Sequence, residues 1–309
     1  MVTVYLDHNV IDGFDKGKTT YLEPLLANKG VLLIISLASV DEIFRGGDEA
    51  RSRSNIESLK KLGVRYIHSG PDESHLSISE LDYENMHQEW LKMQSGVGPF
   101  NDAHFSFIRT VYRGNVPEAI QDMDYAVSDQ IAWIKNNFDN FPNSQPLMNT
   151  VLSNPQEYRE LCGQLIHLKT LLPFTAREIN NIPEKSVFWI SVDKLKSDTD
   201  VNLQIIGGSI QDQIESAETI EDQFTIVFFW LNLFGYYPDD LTRKERVRSN
   251  FSDDNHATYA IACDALLTLD KKFAKRAEAA ISALNLKTEV STDANELLHR
   301  ISALSSHSQ

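Results

Sequence analysis

Four acidic positions in this 309-residue chain fall where an α/β sheet gathers ligand-binding groups. Asp7 directly ends a short apolar run, Val2 to Leu6. Glu42 lies one turn into the helical stretch after a second run, Val31 to Ile35. Asp270 ends the run Ala265 to Leu269, and Asp253 or Asp254 begins the helix before that run. Ligands in open α/β sheets bind outside the carboxyl ends of the strands. Carboxylates gathered at one such edge raise one another's pKa unless a cation sits between them. Hard oxygen donors with room for water suit Mg²⁺ or Mn²⁺. Such ions lower the pKa of bound water and stabilise a phosphoryl-transfer transition state. Each acid also has a plainer reading. Asp7 and Asp270 can cap the helices that follow them, Glu42 can be a solvated helix residue, and Asp253-Asp254 sit where any helix favours negative charge. Four independent positions nevertheless agree on one edge, which favours a shared site over four separate caps.

The elements that must position these acids follow a regular grammar. The strand Val2 to Leu6 enters a helical stretch over 10–28 that closes at Asn28-Lys29-Gly30. Val31 to Ile35 is continuously apolar, the pattern of a strand buried on both faces of a parallel sheet. Ser36 or Ser39 can cap the next helix, stopped at Gly46-Gly47, and a charged helix near 48–62 leads to a strand from Val64 to His68. The C-terminal part repeats this: a helix over 253–263 with small residues, the strand Ala265 to Leu269, a helix over 272–284, a strand at 288–291 and a last helix from Asp293. Alternating strands and helices predict an α/β fold with a mostly parallel sheet flanked by helices. Between these parts, 72–248 carries hardly any strand signal, with helical patterns at 79–94, 117–138, 155–171 and 210–235. The expected organisation is a discontinuous core, 1–71 and 249–309, with 72–248 as a large all-helical insertion.

Net charge is −15, which taken whole argues against a protein held on nucleic acid or anionic membrane by bulk charge. Segment by segment the picture differs. Residues 71–240 hold 26 acidic and 10 basic residues, while the flanks hold 18 and 19. The excess acid belongs to the middle and leaves the flanks near neutral. Cys162 and Cys263 are far apart and lack metal-ligand spacing, which excludes a disulfide framework or structural zinc site. The N-terminus lacks the pattern of a signal peptide. The most apolar run, Phe224 to Tyr237, is too short to span a bilayer and is interrupted by Asn232. A cytoplasmic protein with no membrane partner is expected.

Three segments resemble the PIN-domain family of metal-dependent nucleases. Val-Tyr-Leu-Asp7-His-Asn9 is similar to its opening, where a strand-ending Asp is followed two residues later by Asn, Ser or Thr. Ser36-Leu-Ala-Ser-Val-Asp-Glu42 resembles the helix that presents the second acid. Asp253-Asp-Asn-His256, the small-residue helix with Asp264, the apolar strand, Thr268-Leu-Asp270 and Phe273 form the most specific piece. The likeness covers about 1–70 and 250–304. It implies a metal-dependent endonuclease, acting on RNA more often than DNA. On this chain Asp7, Glu42, Asp253 (or Asp254) and Asp270 would bind Mg²⁺ or Mn²⁺, and Asn9 and Thr268 would orient ligands or the scissile phosphate. His256 can touch substrate or make a structural hydrogen bond, and Asp264 reads as structural. The departure from compact members is the acidic insertion, a candidate cover or docking surface for a protein partner.

Basic residues flank the same edge. Arg248, in the run Arg243 to Arg248, and Lys271, Lys272, Lys275 and Arg276 can hold nucleic-acid phosphates or form ordinary solvated helix surface. Trp90, Trp133, Trp189, Trp230, Phe228 and Phe229 can stack on bases, though their aliphatic neighbours at helical spacing favour core packing. Two other classes compete with a nuclease. One is a non-catalytic PIN-like scaffold that binds a protein or nucleic acid. The other is a phosphatase with a nucleophilic strand-ending Asp, which needs a second acid where Asn9 stands.

Overall fold

The computed structural model describes residues 1–15, 22–69, 76–92, 174–198, 209–238 and 244–306. Six strands form one sheet: β1 (Val2–Leu6), β2 (Val31–Ser36), β3 (Arg65–Ser69), β4 (Leu76–Glu80), β5 (Ala265–Leu267) and β6 (Glu289–Ser291). Their order is β4-β3-β2-β1-β5-β6. All neighbours are parallel except the antiparallel pair β3–β4, in which Ile67 faces Ile78. The α/β class and the mostly parallel sheet are therefore as expected.

Strand composition explains who sits in the middle. β1 is central, its Val4 registered on Leu33 of β2 and on Ala265 of β5. Val4, Tyr5 and Leu6 are all buried, as are all three residues of β5. Alternation then splits the apolar residues between two faces. Tyr5, Ile34 and Leu266 join Phe228, Trp230 and Phe273 in one core. Leu6, Ile35 and Leu267 join Val10, Val40 and Leu297 in the other.

The first of these cores is built largely from the middle of the chain. Helices Glu184–Asp198 and Ile220–Phe234 pack with Lys271–Ala283 over that face, so the described residues 174–198 and 209–238 share a core with the sheet. Thr219 caps the start of Ile220–Phe234, and Gly235 ends it in the left-handed conformation, φ 84°. Helix Leu37–Phe44 is capped by Ser36, whose hydroxyl accepts from the Ala38 amide.

Several boundaries differ from the sequence reading. The pattern at 79–94 divides into the end of β4 and a helix over 83–92, so the stretch read as all-helical supplies an edge strand. Residues 10–28 form two helices, His8–Asp15 and Glu23–Leu26. The pattern at 210–235 also breaks in two, at the extended residue Ala217. Helix Lys244–Ala260 begins well before Asp253 and stops short of Cys263. The helical patterns at 117–138 and 155–171 lie outside the described residues. Among the described residues no helix is long and apolar enough to cross a membrane.

Candidate active site

The sheet order makes β1 the point where chain direction across the sheet reverses: β2 and β3 lie to one side, β5 and β6 to the other. A crevice outside the strand ends at such a point is where open α/β sheets bind ligands. Asp7 follows β1 there and is buried, 4% exposed. Its carbonyl accepts from the Val10 and Ile11 amides, which starts helix His8–Asp15.

Both carboxylate oxygens of Asp7 are held. Oδ1 accepts from the His8 amide at 2.6 Å. Oδ2 accepts from the Thr268 hydroxyl at 2.6 Å and from Asn9 Nδ2. Asn9 also ties the strand end down, its Nδ2 donating to Thr268 Oγ1 at 3.1 Å and its Oδ1 accepting from the Leu269 amide at 2.8 Å. The Asn9 amide thus serves both sides, its Nδ2 donating to Asp7 and Thr268 while its Oδ1 accepts from Leu269.

Glu42 comes from the helix after β2. Its Oε1 accepts from the Ser252 hydroxyl at 2.5 Å, and its Oε2 lies 3.4 Å from His8 Nδ1. Ser252 and His256 are four residues apart on helix Lys244–Ala260, hence on one face. His256, 1% exposed, carries its Nε2 3.8 Å from Asp7 Oδ1 and 3.9 Å from Glu42 Oε2. Its Nδ1 is 2.7 Å from the Tyr5 hydroxyl, which in turn is 2.6 Å from Ser36 Oγ.

Burial and mutual charge set the ionisation. Burial pushes Asp7 up, against the pull of His256 and Thr268. Burial also raises Glu42, but the His256 imidazolium, with His8 and Ser252, outweighs it and brings the carboxyl down to about 2. Burial opposes charge on His256, yet Glu42 and Asp7 win and raise its pKa. Burial dominates at His8 and lowers its pKa. Asp7 and Glu42 thus favour positive charge on the imidazole that both of them face.

Other residues singled out in the sequence stand elsewhere. Asp253 Oδ2 is 2.9 Å from Arg276 Nη2, and Arg276 is fully buried and also donates to the Tyr237 carbonyl at 2.6 Å. Arg276 is therefore neither phosphate-facing nor solvated surface. Asp254 carries a buried Oδ1 without a hydrogen-bond partner, and burial pushes its carboxyl up to about 7. Asp270 is exposed and caps helix Lys271–Ala283, accepting from the Lys272 and Phe273 amides. It remains one step from Asp7, since its own amide donates to Thr268 Oγ1 at 3.0 Å. Asp264 is structural, accepting from the Thr3 amide and hydroxyl. Lys271 is exposed on a cleft of about 410 Å³ that Lys272, Ser291 and Arg300 also line. The Arg248 and Trp133 side chains lie outside the described residues. Trp230 and Phe228 are core residues.

The structure thus brings together Asp7, Glu42 and His256, with Asn9 and Thr268 behind Asp7. It adds His8 and Ser252. The signals for these two were the position next to Asp7 and the four-residue spacing to His256. A polar cavity of about 350 Å³ opens onto Glu42 and His8 and is lined by Asp12, Arg51, Ser52 and Asn55. Among the described residues, no group of three or more His, Cys, Asp or Glu side chains is gathered closely enough to hold an ion as it stands. A hydrated divalent ion needs only one or two protein carboxylates, and Asp7 with Glu42 fits that smaller requirement. No protein-family model matches the chain, and no curated protein and no solved structure matches it.

Proposed function

We propose that this chain is a PIN-like, metal-dependent endonuclease that hydrolyses phosphodiester bonds, in RNA before DNA, in the cytoplasm. One observation carries the reading: a carboxylate ending β1 and another from the helix after β2 face a common imidazole at the sheet's reversal point, beside a polar cavity. Mg²⁺ or Mn²⁺ bound there would supply an activated water and positive charge for the phosphoryl-transfer transition state.

The chain's own residues prepare that site. Thr268 and Asn9 fix the Asp7 carboxylate, and Ser252 fixes Glu42, so each acid keeps a defined direction. Glu42 is ionised throughout the neutral range, and with Asp7 it disfavours a phosphate until a cation is present. His8, largely neutral and partly exposed at the cavity, is placed to accept a proton there. Lys271 offers a phosphate contact next to Asp270. The acidic middle of the chain fits a cover or a docking surface for a protein partner.

A second reading, a non-catalytic scaffold, is favoured by the commitment of Asp253 and Asp270 to structural bonds. Incubation of labelled single-stranded RNA, single-stranded DNA and duplexes with Mn²⁺ separates the two. Cleavage by wild type that is lost in Asp7→Asn supports the nuclease. Equal products from both proteins, or none from wild type, sink it.

A further inference from the structure

The sequence assigns the ion to carboxylates alone, but the geometry around His256 differs from that. Its Nε2 is buried without a hydrogen-bond partner, on a side chain that is 1% exposed. It faces Asp7 Oδ1 at 3.8 Å and Glu42 Oε2 at 3.9 Å, too far for hydrogen bonds, which need about 2.7–3.2 Å. Two donors each about 2.1 Å from a tetrahedral ion stand about 3.4 Å apart, so a closure of about half an ångström would bring Nε2 to ligand spacing from each carboxylate oxygen.

Each partner is arranged for this. Glu42 gives Oε1 to Ser252 and turns Oε2 to the imidazole. Asp7 gives Oδ2 to Thr268 and Asn9, and its Oδ1, which accepts from the His8 amide, also faces the imidazole. The other ring nitrogen of His256 is bonded to Tyr5, and Tyr5 to Ser36. An ion binding here displaces the Nε2 proton; with the tyrosine oxygen accepting from Nδ1–H, the lone pair then lies on Nε2 and points at the carboxylates. A hydrogen-bonded second nitrogen that fixes ring and tautomer is the usual support of a metal-ligating histidine.

We infer that His256 Nε2 is a nitrogen ligand of the ion held by Asp7 and Glu42, making a mixed imidazole–dicarboxylate centre. Such a donor set suits a transition metal of the Mn²⁺, Fe²⁺ or Zn²⁺ class better than Mg²⁺. The inference rests on the metal-dependent reading above and gives His256 a role there. His8, at the cavity, is outside the set.

The test is Mn²⁺ titration of the full chain followed by pulsed electron paramagnetic resonance. The expected result is one tight Mn²⁺ per chain with a ¹⁴N coupling that changes on ¹⁵N-histidine labelling. The coupling persists in His8→Gln and disappears in His256→Gln, which binds Mn²⁺ at least about 10-fold more weakly, the loss that even a ligand's supporting partner causes. Should His256→Gln fail to fold, the labelled wild type and His8→Gln still decide. Bound Mn²⁺ without nitrogen coupling overturns the inference, as does coupling that survives in His256→Gln or the absence of Mn²⁺ binding. RNA cleavage without nitrogen coupling would remove this inference and leave the nuclease. Coupling without cleavage would do the reverse.

Discussion

At the scale of residues, the same carboxyl group does different work according to what it is buried beside. Asp253 faces the fully buried Arg276. Removing one partner of a buried ion pair leaves the other charge uncompensated, so Asp253→Asn should destabilise the chain by about 3 kcal/mol in urea unfolding. Asp270→Ala, losing a helix cap, should cost about 1 kcal/mol. Asp254 shows the opposite case. Its folded value, about 7, lies above the ordinary 3.8 because burial disfavours its charge. Its contribution to stability is full below pH 4 and is lost as pH rises through 7. Asp254→Asn should therefore be more stable than wild type at pH 8, by about 4 kcal/mol, with no gain at pH 4. Thermal unfolding at the two pH values checks the sign. Asp7, Glu42 and His256 were legible in the sequence because strand ends and helix starts carry local signals. Arg276 was not: in the run Lys271 to Arg276 it reads as one more surface cation. Only tertiary packing reveals the Tyr237 carbonyl and Asp253 that hold it.

At the scale of elements, hydrophobic continuity made the central strands easy to read and left the edge hard. β1, β2 and β5 are apolar on both faces, a signal few other structures share. β4 is an edge strand in which Ile78 stays exposed, so two apolar residues among serines leave a pattern too short to outweigh the helix that follows. The helical patterns in the middle of the chain were visible. Their destination, the face of the sheet carrying Tyr5 and Ile34, was not, because periodicity says which face is apolar and not what covers it. Phe228 lies in that core against Phe273, their ring centroids 6.2 Å apart. Phe228→Ala should cost about 3–5 kcal/mol in urea unfolding if helices Glu184–Asp198 and Ile220–Phe234 fold as one body with the sheet. A loss below about 1 kcal/mol would contradict that shared core.

At the scale of the whole molecule, the net charge of −15 and the candidate site belong to different parts of the chain. The charge resides mainly in the middle. The site is assembled from the near-neutral flanks, by strands and helices whose sequence neighbours are more than 200 residues apart. Ligand binding should then couple the two ends of the chain. Mn²⁺ that binds the folded form alone stabilises it by about 2.7 kcal/mol at one hundred times its dissociation constant. The melting temperature should rise with Mn²⁺ in wild type and not in Asp7→Asn. The most direct test of the central claim, that Asp7 and Glu42 rather than four equivalent acids form the hydrolytic site, is Mn²⁺-dependent cleavage of labelled single-stranded RNA by Glu42→Gln and Asp253→Asn, at a temperature where both are folded. Loss of cleavage in Glu42→Gln with cleavage retained in Asp253→Asn is expected. Retention in Glu42→Gln, or abolition by Asp253→Asn in the folded protein, would contradict it.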